Sequence, residues 1–184
     1  MIPVFSNPEI YFSCAWCLKN AFDIVGIKTN TPFHVSFPNT KGDVVNTNSP
    51  DYNNKVKVYD IMGTWCPNCK DETTYLLEYL QKHPDPGFEI VGVAFERHTE
   101  VPKALEALKT YKEKMKIPYP IVYGGSNDKN KASEVLPMLN KVVAYPTLIF
   151  LDASNNVVAI HTGFSGPATS GLSLIHISEP TRPY

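Results

Sequence analysis

The order of apolar and polar positions divides most of the chain into short elements of two alternating kinds. Phe33 to Phe37 and Val44 to Asn46 are β-prone runs on either side of a Lys41-Gly42-Asp43 turn, which predicts a hairpin. Val56 to Met62 is β-prone and largely apolar, the pattern of a buried strand, and the acid Asp60 interrupts it. Asp71 to Leu80 carries good helix formers with Leu76, Leu77 and Leu80 on one stripe. Phe88 to Phe95 predicts a second buried strand. Val101, Ala104, Leu105, Leu108, Tyr111 and Met115 then recur at helical spacing, with Pro102 in the opening turn. Tyr119 to Tyr123 predicts a short strand, Lys131 to Leu139 a short helix broken by Pro137, and Thr147 to Leu151 a strand just after Pro146. A turn over Asp152 to Asn156 leads into a last strand, Val157 to His161.

Strands alternating with helices imply an α/β domain: a mixed central sheet with helices on both faces, closed by an antiparallel hairpin. With 184 residues and 43% hydrophobic positions, the chain can bury one core but is short for two ordinary domains. A net charge of −1 and the absence of Lys/Arg clusters argue against nucleic acid as a partner. No stretch reaches the roughly 18 apolar residues of a membrane-spanning helix. Met1 to Asn20 lacks the basic start and long apolar run of a signal peptide, so a membrane anchor would have to lie in an N-terminal part missing from this chain. Leu172 to Tyr184 reads as the translation of a sequencing-library adaptor. The expected organisation is therefore an N-terminal segment over residues 1–30, a domain over 31–171 and a non-native tail over 172–184.

The four cysteines form two Cys-x-x-Cys pairs, too few for a disulfide-built scaffold and better read as catalytic or metal-binding. Cys66 and Cys69, in Trp65-Cys66-Pro67-Asn68-Cys69, sit where the Val56 to Met62 strand gives way to a helix. A cysteine at a helix N-terminus faces unpaired amides and the positive end of the macrodipole. Both stabilise the thiolate, which is the reactive form. Residues three apart in a first turn have Cβ atoms about 5–6 Å apart, which modest adjustment can bring to the geometry of a reversible disulfide. Pro67 fits there because a first-turn residue needs no amide donor. Cys14 and Cys17 stand in an apolar segment with no clear element and read either as packing residues or as a second redox pair. A zinc site using both pairs is disfavoured, since 48 residues separate Cys17 from Cys66. His34, His83, His98, His161 and His176 show no metal-ligand spacing, so neither a metal nor a cofactor is predicted.

Four features together resemble the thioredoxin superfamily, and within it the TlpA-like thiol-disulfide oxidoreductases. They are Trp65-Cys66-Pro67-Asn68-Cys69 after a central strand, Glu72 three residues beyond the second cysteine, Tyr145-Pro146-Thr147 ahead of a strand, and Gly163-Phe164-Ser165-Gly166-Pro167 after the last strand. The resemblance covers roughly Thr31 to Ser170. It implies a thioredoxin-like fold with a βα insertion at Val101 to Tyr123 and with the usual C-terminal helix missing. It also implies Cys66 as nucleophile, Cys69 as resolving thiol, and Pro146 as a cis-proline opposite the dithiol. Tyr145 would then offer backbone for a substrate strand, with Trp65 and Pro67 as contact surfaces.

Resolution requires Cys69 to lose a proton in a partly buried place, so a carboxylate nearby would help. Glu72, at the family's active-site glutamate offset, and Asp60, six residues before Cys66 at the offset of the thioredoxin aspartate, are the two candidates. The resemblance implies protein disulfide substrates, a thiol electron donor and a periplasmic or otherwise extracytoplasmic setting. A thiol peroxidase of peroxiredoxin type and a thiol-based metallochaperone are the competing readings.

Overall fold

The computed structural model describes residues 32–136 and 139–164. Cys14, Cys17, Gly166, Pro167, the stretch in which the family's C-terminal helix is expected to be missing, and both outer domain boundaries lie outside the described residues. The elements in order are β1 (Ser36–Pro38), β2 (Val44–Asn46), a 3-10 turn (Pro50–Tyr52), β3 (Val56–Met62) and α1 (Pro67–Lys82). There follow β4 (Phe88–Glu96), α2 (Val101–Met115), β5 (Ile121–Ser126), α3 (Lys129–Val135), β6 (Thr147–Leu151) and β7 (Val157–Thr162).

Five strands form one mixed sheet in the order β5-β4-β3-β6-β7. The βαβ units through α1 and α2 make β3, β4 and β5 parallel neighbours, while β6 pairs antiparallel with both β3 and β7. The third strand is therefore central, and six of its seven residues are buried. Continuous burial of this kind means that both faces are covered. Because side chains alternate along a strand, Tyr59 and Asp60 look to opposite faces.

On the Tyr59 side, the Phe33 and Tyr59 rings lie 5.2 Å apart. The Tyr59 hydroxyl donates to Thr47 Oγ1 at 2.7 Å, and the same oxygen accepts the Val35 amide at 2.9 Å. One threonine after the hairpin thus ties the segment before β1 to the central strand. On the Asp60 side lie α1 and α2, linked by the Tyr111 hydroxyl donating to Thr73 Oγ1 at 3.0 Å. The second helix buries Ala104 and Leu108 completely. A leucine so placed contributes about 1.5–3 kcal/mol relative to exposure.

The apolar runs locate β3, α2 and β6 at the expected residues, and β1, β5 and α3 differ most. Phe33 and Val35 are buried, yet pairing begins only at Ser36, because the Val35 amide is held by the Thr47 side chain rather than by a strand. The fifth strand runs on through Gly124 and Gly125 to Ser126. A Cβ on Gly124 would lie 2.8 Å from the Phe95 ring, so glycine here permits close passage past β4 rather than ending the strand. The third helix starts at Lys129, two residues early, because Asp128 caps it by accepting the Asn130 and Lys131 amides.

Candidate active site

Beyond Met62 the third strand turns through Gly63-Thr64-Trp65 into α1. The Cys66 amide donates to Gly63 O at 3.1 Å, and Cys66 is the N-cap of the helix, with Pro67 in its first turn. Its Sγ accepts the Cys69 amide at 3.3 Å, the bond usually made by a capping oxygen. Both thiols are free. Cys66 is only 6% exposed and Cys69 is fully buried, so the nucleophile candidate presents an edge rather than an open sulfur.

The Cys66 thiol is brought down to about 7, first by its hydrogen bond with the Cys69 thiol and then by the Cys69 and Asn68 backbone amides, with burial opposing. The Cys69 thiol is driven strongly upward, by that same bond to Cys66 and then by burial. Two chemically identical groups are thus pushed apart, one toward thiolate at neutral pH and the other toward thiol.

Across from the dithiol, the Tyr145–Pro146 peptide bond is cis. Cys66 Sγ lies 3.6 Å from Tyr145 O. The Tyr145 ring meets Trp65 edge-on, with centroids 5.6 Å apart. Trp65 is half-buried and Pro67 exposed, while Tyr145 and Pro146 are buried. Beneath the cysteines lie both carboxyl candidates, each only 1% exposed. Asp60 faces Gly92 on one neighbouring strand and Leu148 on the other, and Glu72 projects from the first turns of α1.

Neither oxygen of Glu72, nor Asp60 Oδ1, has a hydrogen-bond partner within the described residues. Burial, and then the nearby Cys66 charge, raises Asp60 to about 7. Burial, and then the charge of Asp60, raises Glu72 well above the usual carboxylate range. Asp60, raised only to about 7, is partly ionised at neutral pH and can accept a proton there, while Glu72 beside it is held protonated. Tyr111, whose hydroxyl donates to Thr73 Oγ1, also lines a cleft of about 510 Å³ together with Thr64, His98, Lys103 and Lys114 among others.

The sequence pattern therefore brings together Asp60, Trp65, Cys66, Cys69, Glu72, Tyr145 and Pro146, with Pro67 at the rim. It does not reveal the contribution of Phe95, Glu96 and Arg97 at the end of β4. Phe95 O accepts the Trp65 indole N–H at 2.9 Å, Glu96 accepts two bonds from Thr64, and the Arg97 guanidinium lies 5.0 Å over the Trp65 ring. The available signal was an acid closing the apolar run Ile90 to Phe95. Gly63 was equally silent: a Cβ there would meet Trp65 Nε1 at 2.4 Å and Phe95 O at 2.8 Å.

A family model described as Redoxin matches residues 27–172. Comparison with curated proteins returns no match. Among solved structures, a thiol-disulfide oxidoreductase from Bacteroides fragilis is similar at TM-score 0.58 and 16% identity, over 75% of this chain and 93% of that one. The thioredoxin domain of a thiol-disulfide oxidoreductase from Bacteroides vulgatus is similar at TM-score 0.56 and 25% identity, covering 74% and 90%. A secreted thiol-disulfide isomerase from Corynebacterium glutamicum is similar at TM-score 0.56 and 18% identity, covering 81% and 86%. With the family match running over most of its length and the strand order and helix-capping dithiol described above, the chain belongs to the Redoxin family and carries the thioredoxin-like fold of thiol-disulfide oxidoreductases.

Proposed function

We propose that this protein reduces disulfides in other proteins through the Cys66/Cys69 dithiol. The observation that carries the reading is the asymmetry of the pair: Cys66 caps a helix and accepts the Cys69 amide, while Cys69 is fully buried one turn later. The Cys66 thiolate attacks one sulfur of a substrate disulfide, forming a mixed disulfide and expelling the other sulfur as thiolate. Cys69 then gives its proton to the ionised Asp60 carboxylate beside Glu72 and attacks Cys66 Sγ. That step releases the second substrate thiolate and leaves a Cys66–Cys69 disulfide. Two electrons have passed to the substrate, and an external thiol donor returns them. Trp65, Pro67 and the backbone at Tyr145-Pro146 form the surface on which the substrate segment lies, the last by strand-like pairing.

An extracytoplasmic setting is supported by the likeness to the secreted isomerase. Among the described residues no helix is long and apolar enough to cross a membrane. The test is reduction of insulin disulfides with dithiothreitol as donor. Wild type accelerates the reaction, Cys66→Ser abolishes it, and Cys69→Ser accumulates a substrate adduct on Cys66. An inactive wild type, or an adduct that survives Cys66→Ser, counts against the reading.

A further inference from the structure

The ladder between β3 and β4 ends at the Met62–Ala94 pair, and the two strands then part company. Thr64 lies beyond it, so its amide has no strand partner. Glu96 supplies one: Oε1 accepts the Thr64 amide at 2.7 Å, and Oε2 accepts the Thr64 hydroxyl at 2.8 Å. Glu96 is 2% exposed, an unusual place for an acid unless it is paired. A break in the β4–β5 register falls between Ala94 and Phe95, immediately before the residues that make these contacts. Irregularities of that kind commonly re-aim side chains beside functional sites.

The flanking contacts repeat the pattern. Phe95 O accepts the Trp65 indole N–H, and the Arg97 guanidinium lies over the face of that ring. Three consecutive residues, the last two of β4 and the one after it, thus grip the turn that leads into Cys66. That turn in turn sets the cysteine, because the Cys66 amide bonds back to Gly63 O.

We propose that Glu96 is a positioning residue for the nucleophile: by clamping both donors of Thr64, it fixes the turn that holds Cys66 in its helix-capping conformation. The proposal rests on the reading of Cys66 as attacking thiolate and names a residue through which that thiolate is kept in place. Its consequence is specific. Without the clamp, Cys66 Sγ spends less time receiving the Cys69 amide, and its thiolate loses a stabilising donor.

The test is the pH dependence of Cys66 alkylation by iodoacetamide, read by mass spectrometry in full-length Glu96→Ala, Glu96→Gln and wild-type protein. Glu96→Ala is expected to raise the midpoint by about one pH unit toward that of an ordinary thiol. Glu96→Gln keeps an acceptor for the Thr64 amide and is expected to restore most of the shift. A purely electrostatic influence of Glu96 would act the other way, since removing a negative charge stabilises a nearby thiolate. A midpoint that stays put or falls in Glu96→Ala therefore overturns the proposal. If Glu96→Ala fails to fold by circular dichroism, Thr64→Val decides: it deletes only the hydroxyl bond, a partial upward shift supports the clamp, and no shift refutes it. Insulin turnover is measured alongside. A wild type that alkylates as predicted but reduces no insulin removes the proposed function and leaves the clamp standing.

Discussion

Replacing Asp60 by Asn should stabilise the protein, and should do so more as the pH rises. Asp60 is fully buried on the central strand, has one oxygen without a partner, and titrates near about 7 in the folded state against 3.8 for a free side chain. The sign follows from linkage. Between those two values the folded state holds a proton that the unfolded chain has released, so raising the pH favours unfolding. The penalty is absent below about pH 3.8, grows through the interval, and is complete above about pH 7. A displacement of about three units corresponds to about 4 kcal/mol at pH 8 and about 1 kcal/mol at pH 4.5, at 1.36 kcal/mol per unit. Asn has nearly the same shape and never ionises, so the variant should gain about 3 kcal/mol on the wild type between the two pH values. Urea unfolding followed by circular dichroism, with reductant present to keep both thiols free, measures the difference at each pH. Any constant cost of fitting the amide cancels in that comparison. A wild-type-minus-variant difference independent of pH, or one that moves the other way, would refute a neutral, desolvated Asp60.

Other variants probe separate parts of the site. Glu72→Gln should slow resolution of a preformed mixed disulfide by roughly 10- to 100-fold, with Asp60 remaining as proton acceptor, while Cys66 alkylation stays unchanged; stopped-flow release of a fluorescent thiol reads the step, and an unaltered rate removes Glu72 from the proton path. Gly63→Ala places a methyl 2.4 Å from Trp65 Nε1, so it should cost about 1–3 kcal/mol and shift tryptophan emission, and an unshifted spectrum with unchanged stability would contradict the packing. Thr47→Val leaves the Val35 amide and the Tyr59 hydroxyl without their buried partner, and a loss of about 1–3 kcal/mol in denaturant unfolding is expected.

The legible parts of this fold are those in which local pattern and tertiary environment agree. The Val56–Met62 and Thr147–Leu151 strands and the Val101–Met115 helix have the expected bounds because apolar spacing alone defines their buried faces. The dithiol was readable for a similar reason: a strand, two cysteines around a proline, and helix formers dictate an N-cap thiol locally. What stayed hidden depends on groups distant in sequence. Thr47 replaces a strand partner for Val35, twelve residues away, and no propensity encodes that. Glu96 closes the apolar run Ile90 to Phe95, and only the folded chain brings it to Thr64, 32 residues earlier. Asp60 and Glu72 were readable as candidates, each from its offset to a cysteine; that both are buried beneath the dithiol with oxygens lacking donors required the packing of α1 on β3.

The proposed chemistry requires one cysteine of the pair to be a ready thiolate and the other a held thiol. Alkylation of the reduced protein across pH 5 to 10, resolved by residue, measures it directly. Cys66 should be modified with a midpoint of about 7, and Cys69 should stay protected until well above the range of an ordinary thiol. Equal rates at the two residues, or modification of Cys69 first, would contradict it.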